Sequence, residues 1–190
     1  MKRLVCLLLL FIVGCSTETS TIEIRKHVYV EKEFKDSWLE TNEFGDSYIK
    51  EELQGGYDYP YNSQYLEIFF KDGGTIELYN YSIKKNQFII SGEMIPPATI
   101  RLVHPNLDNV TSEGVIIHEL GHYFDEKYHF SSSKQFIKLY KKNKALFDTK
   151  TKKEYFAECF KEYVGNHQEK VKPFQSYMKK ITKKILQNNK

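Results

Sequence analysis

Only three cysteines occur among the 190 residues: Cys6, Cys15 and Cys159. Two fall in the first fifteen residues, so Cys159 has no partner for a disulfide within the rest of the chain. The fold must rest on its apolar core, helped by metal if it binds one. No apolar run reaches the ~20 residues that a membrane-spanning helix needs. The run from Leu4 to Val13 is too short. There is no internal repeat and no nucleic-acid recognition motif, so nucleic acid is not an expected partner. Aromatics, by contrast, are plentiful. Fourteen Tyr and thirteen Phe argue for a folded chain. The length suits one domain with a substantial core.

The N-terminus, "MKRLVCLLLLFIVGC", opens with Lys2 and Arg3, continues apolar to Val13 and ends in Gly14-Cys15. These are features of a secretory signal. Ile12-Val13-Gly14-Cys15 resembles a bacterial lipobox. That resemblance implies cleavage before Cys15 and lipid on its sulfur. Residues 1–14 are then a signal peptide, and residues 15–22 the lipidated cysteine and a polar tether. The expected location is the extracellular face of a bacterial membrane, reached through the N-terminal lipid. Without that lipid the protein would be secreted.

Charge is uneven along the chain. Residues 131–190 hold 16 lysines against five acidic side chains. Residues 1–130 hold 12 basic and 20 acidic side chains. The lysines are scattered among apolar positions, as on solvated amphipathic helices. Such a half can also meet an anionic membrane, a cell-wall polymer or an acidic substrate.

"SWLETNEFGDSYIKEELQG" suits a short helix and a turn, and "GGYDYPYNSQY" a Tyr-rich loop. "QYLEIFF" and "TIELYNYSI", separated by "KDGG", suit the two strands of a hairpin. "NQFIISG" and "ATIRLVHP" suit two further strands, the last stopped by Pro105. After Asn109 the pattern turns helical, with Thr111 or Ser112 as cap and Glu113 in the first turn. Further helices are expected over 132–146, from Lys153 to His167 and from Pro173 to Gln187. The expected fold is α+β: a mostly β part over 23–95, then a helical part over 96–190.

The segment "GVIIHELGHYFD" carries the chemistry. His118 and His122 are one helical turn apart, so both imidazoles leave the same face and can share a metal ion. Glu119 projects beside that ion, where it can take a proton from water. Two unpaired imidazoles in so apolar a segment would be costly to bury. A catalytic zinc needs a third protein ligand and an open position. The longer metzincin pattern does not supply that ligand, because Asp125 and Tyr128 stand where its glycine and histidine would be. His129 is ~10 Å further along the helix axis. The helix in "KKEYFAECFKEY" offers Glu154 as third ligand. Glu158, one turn on, can accept a hydrogen bond from a ligand imidazole and fix its tautomer. Asp125 lies on the histidine face, either to hold a ligand histidine or to cap the helix surface.

"HELGHYFD" followed by "EYFAECF" resembles the anthrax lethal factor-like metallopeptidase domain, which includes the secreted Pro-Pro endopeptidases. The resemblance covers roughly residues 96 to 175. It implies a gluzincin-type zinc endopeptidase with one zinc ion on His118, His122 and Glu154. Glu119 would be the general base, with Glu158 supporting a ligand. Peptides or proteins outside the cell would be the substrates. One departure stands out. Where the family carries an oxyanion-stabilising tyrosine, about seven residues before the third ligand, this chain has Phe147. Tyr140, Tyr155 or an N-terminal tyrosine would have to replace it. The alternative is a zinc-binding module of the same fold that has little or no turnover and acts in protein or cell-envelope binding.

Overall fold

The computed structural model describes residues 21–40, 53, 64–85, 88–104, 114–149 and 151–188. The signal segment, Cys15, most of the Tyr-rich loop, Pro105 and the cap positions Thr111 to Glu113 lie outside them.

Five strands form one mixed sheet in the order β1-β2-β3-β7-β6. They are β1 (Thr21–Arg25), β2 (Val28–Glu31), β3 (Thr75–Tyr79), β6 (Gly92–Ile95) and β7 (Thr99–Val103). The central pairs, β2 with β3 and β3 with β7, are parallel, and the two outer pairs are antiparallel. Strands β4 (Ile83–Lys85) and β5 (Phe88–Ile90) form a separate antiparallel pair. Register explains the core face. Val28 lies opposite Ile76, which lies opposite Ile100, and Val30, Leu78 and Leu102 align in the same way. All six are buried. The alternate residues Tyr29, Glu77 and Arg101 point to the other face, as the two-residue period of a strand requires.

Six α-helices are described: α1 (Lys35–Leu39), α2 (Gln64–Lys71), α3 (Val115–Tyr128), α4 (Lys134–Lys142), α5 (Lys152–Val164) and α6 (Gln175–Gln187). The class is therefore α+β. None of these helices is long and apolar enough to cross a membrane. The C-terminal helices fall where the sequence places them, with ends that differ by a few residues at most. Residues 144–146 and 172–174 are separate 3₁₀ turns.

The N-terminal part differs from expectation in three respects. "QYLEIFF" is helix α2, not the first strand of a hairpin. Its buried residues are Tyr65, Leu66, Ile68 and Phe69, which is one helical face, while β propensity describes only residue types. "KDGG" closes that helix instead of turning a hairpin. Gly74 N–H donates to the Phe69 carbonyl and Gly73 N–H to that of Phe70, with Gly73 at a φ of 86°. This is the paired helix-ending motif for which glycine is suited. Finally, Thr21 and Ile22, expected in the tether, belong to β1. Strand β7, expected from "ATIRLVHP", lies inside the sheet between β3 and β6.

Candidate metal centre

Helix α3 carries the "HELGH" segment across the core side of β6 and β7 and packs most extensively on α5. Ile116, Ile117, Leu120 and Phe124 are fully buried and fix its rotation. Gly121 fixes its distance from α5. A Cβ there would lie 3.0 Å from Ala157 Cα and 3.3 Å from Phe160 Cβ. The glycine lets the two backbones approach closely between the turns that carry His118 and His122.

That approach brings the expected ligands together. His118 Nε2 and His122 Nε2 are 3.1 Å apart, and each lies 3.3 Å from Glu154 Oε2. His118, His122 and Glu154 can together hold a metal ion. Glu154 stands in the first turn of α5, capped by Thr151, whose Oγ accepts from the Glu154 N–H at 3.1 Å. In a capping box its carboxylate would reach back to the Thr151 N–H. It turns to the histidines instead. The Glu154 side chain is 47% exposed while both imidazoles are largely covered, so the cluster is open on the carboxylate side.

Glu158 sits as expected. Its Oε1 is 3.0 Å from His118 Nδ1, which leaves Nε2 aimed at the cluster. Sequence reading missed Lys161, whose Nζ is 2.8 Å from Glu158 Oε2 and holds that carboxylate from behind. The signal was there, since the two residues are three apart on one helix.

Asp125 is a correction. It is buried, and both carboxylate oxygens accept from Ser131, at 2.6 Å from the backbone N–H and 2.6 Å from the hydroxyl. It secures the turn after α3 and holds no ligand histidine. Helix α3 ends at Tyr128, and His129 takes a left-handed conformation beyond it, away from the cluster's turns. Glu162, one turn beyond Glu158, is buried with His167 Nδ1 and Lys170 Nζ each 3.2 Å from its Oε2.

Glu119 is buried beside the histidines. Burial pushes its carboxyl pKa up, opposed by both imidazoles and by the Met94 backbone amide, which donates to it. That amide lies on the outer edge of the sheet. Val103 N–H donates to the Ser91 carbonyl, so alternation places the Gly92 and Met94 peptide groups on the side away from β7. Among the described residues no strand pairs with that edge. Sequence gave no signal for Met94, because the contact joins a strand to a helix 25 positions on.

His118 is the most perturbed of these groups. Burial opposes its charge, but the Glu154 and Glu158 carboxylates outweigh burial and raise it to about 10. Hydrogen bonds from His118 and His122 hold Glu154 well below the usual carboxylate range.

Aromatic rings gather around Tyr155 at the start of α5. Phe147 packs edge-to-face on Tyr155 at 5.2 Å, and Tyr140 does so at 5.0 Å. The Tyr155 hydroxyl donates to the Asn143 carbonyl and is committed to the fold. Cys159 is buried, and desolvation holds its thiol pKa far above normal.

No protein-family model matches the chain, and no curated protein matches its sequence.

Proposed function

We propose that this chain is an extracellular zinc endopeptidase, held at the membrane through lipid on Cys15. The ligand triangle carries the reading. Tetrahedral zinc with bonds of ~2.0–2.1 Å places its ligand atoms roughly 3.3–3.4 Å apart. The edges here are 3.1, 3.3 and 3.3 Å. With Nδ1–H of His118 given to Glu158, its Nε2, once it yields its proton, turns a lone pair toward a second imidazole and a carboxylate, an arrangement suited to a cation. Two histidines and one carboxylate are a donor set that zinc takes readily, and they leave a fourth position for chemistry. When bound there, zinc supplies Lewis acidity toward a carbonyl oxygen or water.

The chain's own residues supply the rest. Glu119 receives the proton of the attacking water and passes it to the departing amine, and its raised pKa suits both steps. Glu158 fixes the orientation of His118, and Lys161 fixes Glu158. The outward Gly92 N–H and the outward Gly92 and Met94 carbonyls suit a substrate backbone added as a strand beside Glu119. The resemblance to lethal factor-like peptidases points to the same roles.

The test is hydrolysis of a peptide library by the zinc-loaded full chain, run beside Glu119→Gln. We expect cleavage by the native chain and none by the variant, with one zinc retained in each. Equal cleavage by both would refute Glu119 as the base.

A second reading is a zinc-binding module without turnover. It is favoured by Phe147, which has no hydroxyl, and by Tyr155, whose hydroxyl is engaged elsewhere. Losing one oxyanion donor costs on the order of a hundred-fold in rate. On this reading the native chain binds zinc and cleaves nothing, and Phe147→Tyr is the variant in which to look for recovered activity.

A further inference from the structure

The lysines of the C-terminal half form two clean stripes. On α4, Lys134, Lys138, Lys141 and Lys142 are all exposed, at helical spacings of four, three and one. On α6, Lys179, Lys180, Lys183 and Lys184 are exposed as two pairs one turn apart. The opposite faces are buried, through Phe136 on α4 and Met178, Ile181 and Ile185 on α6. The helices are neighbours: the Phe136 ring lies 5.7 Å from that of Tyr177, and Ser133 Oγ 3.0 Å from its hydroxyl. No acidic residue occurs between Tyr128 and Asp148, and none after Glu169. Among the described residues, none of the eight lysines forms an ion pair. Elsewhere in the fold Lys127, Lys153 and Lys161 each meet a carboxylate.

We propose that α4 and α6 together form a docking surface for an anionic phospholipid bilayer. Exposed lysines on the outer faces of two helices suit a broad anionic surface rather than a small ligand. Each lysine that reaches such a surface improves partitioning roughly fivefold, and salt screens the effect. The N-terminus favours a bilayer over a soluble polyanion, and this step rests on the reading of Cys15 as lipidated. Only six positions separate Cys15 from β1, a reach of ~20 Å when fully extended. The folded part is then held against the bilayer at high effective concentration, where modest contacts decide its orientation. Nothing in this surface depends on the metal ligands.

The experiment measures partitioning of the full chain, carrying Cys15→Ser to remove the acylation site, onto vesicles. Equimolar phosphatidylglycerol and phosphatidylcholine are compared with phosphatidylcholine alone. The apolar N-terminus contributes to both, so the readout is the anionic gain. One variant changes Lys179, Lys180 and Lys183 to Gln, sparing Lys184, whose ammonium lies over the Tyr128 and Phe130 rings. The other changes Lys134, Lys138, Lys141 and Lys142 to Gln. Unchanged melting and zinc content establish that the variants fold. We expect an anionic gain of about a hundredfold or more, cut about tenfold or more in each variant and abolished by high salt. No gain, or a gain that survives both variants, overturns the proposal. So does lysine-dependent binding to soluble poly(glycerol phosphate) as tight as that to vesicles, which would identify a polyanion as the partner.

Discussion

Replacing Gly121 with alanine sets two effects of known size against each other. Glycine inside a helix is less favourable than alanine by about 1 kcal/mol, so on backbone grounds alone Gly121→Ala should stabilise α3. The added Cβ, however, would meet Ala157 Cα at 3.0 Å and Phe160 Cβ at 3.3 Å, one of them a backbone atom that cannot rotate away. Relief requires α3 and α5 to separate by a few tenths of an ångström. Overpacking of this kind costs about 1–3 kcal/mol, so the net change is a loss of about 0–2 kcal/mol. The centre feels the separation more sharply than the fold does. His118 and His122 ride on α3, and Glu154 rides on α5. Metal–ligand distances tolerate only about ±0.2 Å. Zinc affinity should fall on the order of tenfold, equivalent to about 1.4 kcal/mol. Competition with a chromophoric chelator reads the affinity, and urea unfolding of the metal-free chain reads the stability. A variant about 1 kcal/mol more stable with undiminished zinc affinity would refute the claim that Gly121 sets the spacing of the site.

Other perturbations separate the remaining roles. Glu158→Ala should weaken zinc about 10–100-fold by freeing the His118 ring, as chelator competition would show; unchanged affinity would mean Glu158 is a bystander. Ser131→Ala removes one bond to the buried Asp125 carboxylate and should cost about 1.5–3 kcal/mol in urea unfolding. Zinc affinity should not change, whereas a loss would return Asp125 to the metal site. Because His118 is raised to about 10 without metal, zinc must displace its proton at neutral pH. Affinity should therefore rise with pH, by about tenfold per unit, and flatten once pH passes that value. A pH-independent affinity between neutral and mildly alkaline conditions would contradict a protonated His118.

Residue order alone determined the chemistry available here. His118, Glu119 and His122 share their geometry because a helix repeats every 3.6 residues, and the apolar residues around them make that helix legible. Glu154 and Glu158 were readable for the same reason, each being a local feature of one amphipathic helix. The helical C-terminal half was legible because its periodic segments are long. The N-terminal half was less so. "QYLEIFF" satisfies strand and helix alike by residue type, and packing settled it as a helix with one face against the core. Packing of distant elements settles which of these local features meet. The 3.1–3.3 Å triangle needs α3 and α5 in contact, and that contact depends on Gly121 against Ala157. The choice of Glu119 for the Met94 amide was equally non-local, whereas Asp125 takes Ser131, only six positions on, across the turn that ends its helix. A side chain's spacing along the chain fixes its direction from its own helix. Its partner is fixed only when distant elements bury their apolar faces together and leave one geometry for the polar groups between them.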